Sequence, residues 1–261
     1  MFLVGGLKKT GRVIKKHKGL FILLFLTQLI FLVVFATVQV KYQVAILQNF
    51  KEVVEPLEQA SYNAALLQAG MPLIGETAQI MESWNKLKAS FQYLLIFSFL
   101  GFAVLNGFNW SLTHYLIRKQ NLLKVWGKFI VLSAVFFIPY LVIIFGIFES
   151  VLFENNPYLA AQIMVGIAVV FFYFALIGFS FADLSLKKVW KKVFWEVGIK
   201  KFYWVLLVYL IIFLILGLLV YLLYLAVNYW AMFWVVLFMV LIVLMVNVGR
   251  VFLISSLSEI N

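Results

Sequence analysis

Six long apolar stretches without a charged residue constrain this chain more than any other feature. They cover residues 20–40, 91–112, 129–148, 158–182, 202–227 and 231–248. A helix needs about 20 apolar residues to cross the roughly 30 Å hydrocarbon layer of a membrane. Backbone polar groups in lipid must pair within their own element, so these stretches predict helices. The predicted fold class is an all-α polytopic membrane protein with six transmembrane helices in three hairpins.

The composition excludes several other classes of protein. Apolar residues make up 66% of the 261 residues, and charged residues only 12%, about half the roughly 25% usual in soluble domains. The net charge is +11, but the basic residues lie between apolar runs and not on a polar domain. A nucleic-acid partner is therefore not expected. The chain has no cysteine, which excludes disulfides and thiolate metal sites.

The charges of the loops predict the orientation in the membrane. Lysine and arginine cluster in residues 8–18, 118–128 and 187–201, whereas the alternate loops hold most of the acidic residues. Lysine and arginine favour the cytoplasmic side. We expect a multi-pass protein of the cell membrane with both termini in the cytoplasm. The first apolar stretch is too long for a signal peptide, so we expect it to be retained.

An internal repeat is suggested by glycines and by basic segments. Gly107, Gly178 and Gly249 recur at intervals of 71 residues, and residues 124–128 (KVWGK) match residues 188–192 (KVWKK). Such self-similarity predicts repeat units of about 1–117, 118–186 and 187–261 within a single membrane domain. Chance similarity among apolar hairpins is the alternative.

The basic segments are amphipathic. Val189, Val193 and Val197 follow each other at helical spacing, with Trp190 and Phe194 beside them. Aromatic and lysine side chains together are typical of helices in the headgroup layer, where each lysine near an anionic leaflet contributes about 1 kcal/mol. The candidate anionic-lipid contacts are Lys15, Lys16, Lys124, Lys128, Lys188 and Lys192. The alternative is that the lysines serve only anchoring and topology.

Residues 41–90 are the least apolar part of the chain and predict an extracytoplasmic helical insertion. Leu47, Phe50, Val54 and Leu57 on one arm, and Ile80, Trp84, Leu87 and Phe91 on the other, have the spacing of a helical seam. We expect the first two transmembrane helices to continue outward as an antiparallel hairpin. Its apolar tip is a candidate contact with another membrane or extracytoplasmic protein, or it packs on its own arms. The tip residues are Met71, Leu73 and Ile74.

A few polar residues lie near the basic ends of the apolar stretches. Ionisable groups within a transmembrane helix are functional candidates by default, and a pair between Asp183 and Arg250 would avoid an unpaired buried charge. The alternative is that arginine extends to the interface and that asparagine and serine join helices. The predicted intramembrane polar cluster comprises Asn106, Asn109, His114, Ser180, Asp183, Asn247 and Arg250.

Motifs for catalysis, metals and cofactors are missing from the sequence. His17 and His114 are the only histidines, and no zinc-protease, nucleophile-elbow, phosphate-loop or dinucleotide-binding pattern occurs. We therefore expect no catalytic residues, no metal, no cofactor and no enzyme activity.

The run from Leu186 to Leu223, which begins LKKVWKKVFWEVGIKKFYWVLL, resembles repeats in a family of six-span membrane domains. That family includes the domain fused to some bacterial glycerophosphodiester phosphodiesterases, and stand-alone relatives of unknown function. The resemblance implies architecture only, because this chain has a long first outer loop and no phosphodiesterase domain. The predicted function is a non-enzymatic membrane subunit or scaffold that binds lipid or a partner. The alternative is a small transporter or channel with a path near the polar cluster.

Overall fold

A computed structural model describes the backbone of residues 2–62, 77–151 and 157–260. Two π-helical turns, Phe102–Asn106 and Lys192–Glu196, interrupt the α-helices, and no strand occurs in these ranges. The predicted all-α fold class is confirmed. The helices are α1 (Phe2–Lys16), α2 (Lys18–Tyr62), α3 (Thr77–Gly101), α4 (Gly107–Arg118), α5 (Leu122–Val151), α6 (Pro157–Ser180), α7 (Leu186–Lys191), α8 (Phe202–Tyr229) and α9 (Met232–Ile260).

Six helical segments are long and apolar enough to cross a membrane. Each overlaps one of the six apolar stretches predicted from the sequence, so the prediction of a multi-pass membrane protein is confirmed. The segments are Lys18–Glu55, Ile80–Arg118, Leu122–Ile144, Gln162–Ser180, Phe202–Tyr229 and Met232–Glu259.

The chain divides into two compact units. The first unit combines Met1–Phe31 with Ala103–Asn261, and the second unit is Leu32–Phe102. In the first unit, a buried apolar core joins Phe21 of α2, Leu112 of α4 and Val251 of α9. This core lies where the helices meet the basic segments, and we call that end of the first unit the basic end.

Three contacts join helices to basic segments at the basic end, and the first two are of one kind. A Cβ added to Gly107 in α4 would lie 2.7 Å from Cδ1 of Phe129 in α5, and one added to Gly178 in α6 would lie 3.6 Å from Cγ2 of Val193. In the third contact, α1 packs on α9, and a Cβ added to Gly6 would meet the side chain of Ser256.

The valine face of the third basic segment is buried, as its spacing predicted. Val189, Val193 and Val197 are at most 1% exposed, and the rings of Trp190 and Phe194 stack with centroids 5.4 Å apart. The segment therefore packs one side into the protein. The corresponding residues 122–128 form the first turns of α5 and not a separate helix.

The second unit is an antiparallel helical hairpin, as expected for this part of the chain. The Gln39 amide donates to Ser98 at 2.8 Å, and the Asn49 amide donates to Ser90 at 3.2 Å. Further along, the hydroxyl of Ser83 donates to the carboxylate of Glu52 at 3.0 Å. In these three pairs the residue number increases along α2 while it decreases along α3. The two helices are therefore antiparallel.

The predicted apolar seam of the first arm is wrong. Leu47 and Phe50 are 67% and 54% exposed, whereas Val53 is buried and Tyr42 stacks on Phe97 with centroids 5.7 Å apart. Serines on α3 offer hydrogen-bond partners and little bulk, so the face of α2 that carries Tyr42, Asn49 and Val53 turns inward. The tip residues Met71, Leu73 and Ile74 lie outside the described residues.

Candidate functional site

Asp183 is the centre of a buried acid–base group at the basic end. Its side chain is 4% exposed, and Nη1 of Arg118 donates to its Oδ2 at 2.5 Å. Nζ of Lys128 donates to the backbone carbonyls of Asp183 at 3.1 Å and Leu184 at 2.5 Å. Helix α6 ends at Ser180, and a lysine suits the carbonyls just beyond a helix end. The group therefore joins the ends of α4 and α6 to the start of α5.

His114 lies against the same carboxylate and is fully buried. Its Nε2 lies 2.8 Å from the carbonyl oxygen of Phe179, which only accepts, so Nε2 carries the proton. Its Nδ1 then faces Oδ1 of Asp183 at 3.6 Å. Neither of these two atoms has a hydrogen bond to another described residue. A proton placed between them would bridge the imidazole and the carboxylate.

Gln28 is the centre of a second buried group. Its Oε1 accepts a hydrogen bond from Nδ2 of Asn109 at 3.0 Å and another from Nη2 of Arg250. The Arg250 guanidinium lies 6.0 Å from the ring centroid of Trp110, and the residue is 7% exposed. Among the described residues no ion pair includes Arg250, so a neutral amide and an aromatic ring are its identified partners.

The predicted pair between Asp183 and Arg250 is wrong, and the single predicted polar cluster is two groups. Asp183 pairs with Arg118, and Arg250 with Gln28. His114 of one group and Asn109 of the other lie on α4, five residues or about 7.5 Å apart along the helix. Arg118 is the partner of Asp183 because it is the last residue of α4, which ends beside the loop that follows α6.

The other predicted members of the cluster bond within their own helices or are simply buried. Ser180 donates to the carbonyl of Leu176 at 2.8 Å, and Asn247 to that of Val243 at 3.1 Å. Asn106 is buried just before α4. Ser180 and Asn247 therefore bond to carbonyl groups of their own helices. Together with Asn106 they are buried but do not form one cluster.

The sequence interpretation missed Gln28. The signal available was an amide within the first apolar stretch, where nearly every neighbour is apolar. An amide at such a depth needs a partner because lipid offers none. Its two partners lie 81 and 222 residues away, beyond any local pattern.

The six predicted lipid lysines differ in their surroundings. Lys15, Lys16, Lys124 and Lys188 are exposed, whereas Lys128 binds the carbonyls described above and Lys192 lies 3.0 Å from Oε2 of Glu196. Hydrogen bonds from Lys191 and then Lys192 lower the pKa of Glu196 below its ordinary value of 4.5. Four of the six are thus exposed cations.

Helix α1 presents a cationic face on one side and packs on the other. Gly6 and Thr10 are buried, and Lys9 pairs with Glu259 at 3.6 Å. The opposite face is open and carries Lys8, Gly11, Arg12, Lys15 and Lys16. We call its four cations the α1 cationic face.

Acidic residues at the basic end already have cationic partners. Asp183 pairs with Arg118, Glu196 with Lys191 and Lys192, and Glu259 with Lys9. No ion pair with a described acidic residue involves the α1 cationic face. In the described part of the chain, no cluster of three or more His, Asp or Glu residues is arranged to hold a metal ion.

Comparisons of the chain with protein-family models, with curated proteins and with solved structures gave no significant match. The resemblance to the six-span membrane domains therefore stays a prediction.

Proposed function

We propose that this protein is a non-enzymatic integral membrane subunit or scaffold whose basic end lies on the cytoplasmic leaflet and binds anionic lipid. The observation that carries the proposal is the α1 cationic face, which has four exposed cations, none of them in an ion pair with a described acidic residue. Anionic lipid headgroups supply the missing negative charge, at about 1 kcal/mol for each lysine or arginine near the surface.

The charge distribution supports the same orientation. Residues 1–19, 118–128, 183–201 and 250–259 hold seventeen of the 21 basic residues but only three of the ten acidic residues. Lysine and arginine near the ends of transmembrane helices favour the cytoplasmic side. Both termini belong to this end of the first unit, since α1 packs on α9.

The experiment measures thermal unfolding in nanodiscs of phosphatidylcholine, with and without phosphatidylglycerol. Lipid that binds the folded state stabilises it. We expect phosphatidylglycerol to raise the Tm of the natural protein, and to raise it less when Lys8, Arg12, Lys15 and Lys16 are all changed to glutamine. The matched control changes the four lysines of the second unit, Lys41, Lys51, Lys86 and Lys88, and keeps the full shift. An equal shift in all three proteins would contradict the proposal.

The hairpin of residues 41–90 is the proposed contact with a partner protein. Leu47 and Phe50 support this proposal because they are exposed on α2, away from its contacts with α3. Both lie beyond the apolar stretch of residues 20–40, and exposed apolar side chains outside the hydrocarbon layer are typical of protein contact sites. A photocrosslinking residue at position 47 is expected to give a protein adduct in intact cells, whereas lipid adducts alone would contradict the proposal.

A transporter is the second candidate, favoured by the buried charges of Asp183 and Arg250. Against it, every buried described side chain between Leu210 and Val243 is apolar: Ala226, Val235, Phe238 and Val243. Proton flux into proteoliposomes, followed with a pH-sensitive dye, separates the two functions. Flux carried by the natural protein would support the transporter, and absence of flux supports the scaffold.

We infer, in addition, that the basic segments are copies of one repeated unit. Two of the contacts between a helix and a basic segment support this inference, because Phe129 and Val193 occupy matching positions when KVWGK is aligned with KVWKK. Each touches a glycine of the 71-residue series, Gly107 and Gly178 respectively. The substitutions at these glycines described in the Discussion test the equivalence.

A further inference from the structure

An apolar groove separates α6 from α8 in the first unit. It is open along its length and has a volume of about 760 Å³. On α6 it runs from Val165 to Leu176, about 16 Å, and on α8 from Leu206 to Leu214, about 12 Å. Among the described residues that line it, only Tyr173 and Tyr209 have a polar side-chain atom.

Both tyrosine hydroxyls are engaged toward one end of the groove. Tyr209 donates to the carbonyl of Tyr173 at 3.1 Å, and Tyr173 donates to the carbonyl of Gly198 at 2.7 Å. With its hydroxyls occupied, the groove presents hydrocarbon and aromatic edges to an occupant. The second bond also fixes the loop of residues 197–201 at the end of the groove near Tyr173.

That loop carries exposed positive charge. Lys200 and Lys201 are exposed, and Nζ of Lys200 lies 5.4 Å from the ring centroid of Trp195. No described acidic residue forms an ion pair with either lysine. Lys201 also precedes the first turn of α8, where the helix dipole favours an anion. One end of the groove is therefore cationic and the remainder apolar.

We propose that this groove is a binding site for one anionic phospholipid, with an acyl chain between α6 and α8 and the headgroup phosphate at Lys200 and Lys201. In a phospholipid the phosphate lies at the membrane surface and the acyl chains extend toward the membrane centre. The groove has the same arrangement, with its lysines at one end and apolar walls beyond them. Lys201 and Leu206 are five residues apart, about 7.5 Å along α8.

Charge argues against a second copy of this chain as the occupant. A helix in the groove would need an acidic side chain for Lys200 and Lys201. The acids that this chain has at its basic end are Asp183, Glu196 and Glu259, and each already has a cationic partner. A phospholipid brings both the anion and the hydrocarbon.

This proposal deepens the lipid-binding function proposed above and assigns a site distinct from the α1 cationic face. The test uses two phospholipid probes with the same diazirine-bearing acyl chain, phosphatidylglycerol and phosphatidylcholine, in nanodiscs that hold the full chain. We expect phosphatidylglycerol to label residues 165–176 and 206–214, and phosphatidylcholine to label them about tenfold less. Excess unlabelled phosphatidylglycerol competes, whereas inorganic phosphate does not, because the acyl chain is part of the recognition.

Two sets of variants make the test specific. Lys200→Gln with Lys201→Gln is expected to reduce phosphatidylglycerol labelling to the phosphatidylcholine level, whereas Lys187→Gln with Lys188→Gln, an exposed pair in the preceding segment, leaves it unchanged. Val169→Trp, at a 64% exposed position in the groove, is expected to abolish labelling of residues 206–214 without lowering Tm. The α1 variants leave groove labelling intact, so failure of one proposal is distinguishable from failure of the other. Equal labelling by both lipids, or unchanged labelling in the Lys200 and Lys201 variant, would overturn the groove proposal.

Discussion

Arg118 and Asp183 are 65 residues apart in the sequence, yet Nη1 of the first lies 2.5 Å from Oδ2 of the second. The arginine ends α4, and the aspartate follows the end of α6. His114 and Lys128 approach the same loop from α4 and α5. This ion pair and the hydrogen bond from His114 to the carbonyl of Phe179 directly link two of the returning helices at the basic end.

Removing one member of this pair is expected to destabilise the protein strongly. Asp183→Asn leaves the Arg118 guanidinium without its anion, and breaking such a pair costs about 3 kcal/mol. The double variant Asp183→Asn with Arg118→Gln is expected to recover part of the loss, since no unpaired charge remains. Thermal unfolding of the purified protein measures both. The exposed pair Glu82 and Lys86 is the control, and its removal is expected to change Tm little.

Replacing Gln28 alone is expected to destabilise the protein more than replacing Gln28 and Arg250 together. Gln28→Leu removes the acceptor of two hydrogen bonds and leaves a buried guanidinium, so we expect a loss of about 3 kcal/mol or more. Arg250→Met in the Gln28→Leu background is expected to raise Tm again, because the charge is gone. If Arg250→Met instead lowers the Tm of the Gln28→Leu protein further, Gln28 is not the partner that makes Arg250 tolerable.

The glycines of the 71-residue series are expected to differ from other glycines in the same helices. An alanine Cβ at Gly178 would lie 2.9 Å from Cε2 of Phe136, so Gly178→Ala is expected to lower stability by about 1–3 kcal/mol. Gly107→Ala has the same expected effect, because its Cβ would press on Phe129. Gly166 is on the same helix as Gly178 with nothing within 4 Å, so Gly166→Ala is expected to be neutral or stabilising by up to about 1 kcal/mol. Equal effects at positions 166 and 178 would contradict the packing described here.

Glu196 is expected to contribute to the pH dependence of stability on the acid side. Hydrogen bonds from Lys191 and then Lys192 hold its pKa below 4.5 in the folded protein. A lowered pKa stabilises the folded state above pH 4.5, and this stabilisation is lost as the pH falls through the lowered value. The Tm difference between the natural protein and Glu196→Gln should therefore shrink as the pH is lowered below 4.5. A difference that stays constant over that range would show that the carboxylate makes no net contribution.

The sequence predicts the six transmembrane helices because the length of an uncharged apolar stretch is enough to identify a helix that can cross the membrane. Val189, Val193 and Val197 were also predictable as one face, since helical spacing places them together whatever they pack against. The partners of Asp183 and Arg250 were not predictable, because they depend on how α2, α4, α6 and α9 are rotated about their axes. Leu47 and Phe50 show a related limit. Their spacing fits a seam, but the hydrogen bonds of Asn49 and Glu52 to α3 turn them outward.

The most direct test of the account is the topology of the two units, and the absence of cysteine allows it to be measured without background. Asn85→Cys in α3 and Gln120→Cys after α4 each introduce one thiol at an exposed position. A membrane-impermeant maleimide applied to intact cells, before and after permeabilisation, reports the side on which each thiol lies. The account predicts that position 85 is labelled in intact cells and position 120 only after permeabilisation. Labelling of both positions from the same side would contradict the proposed arrangement in the membrane.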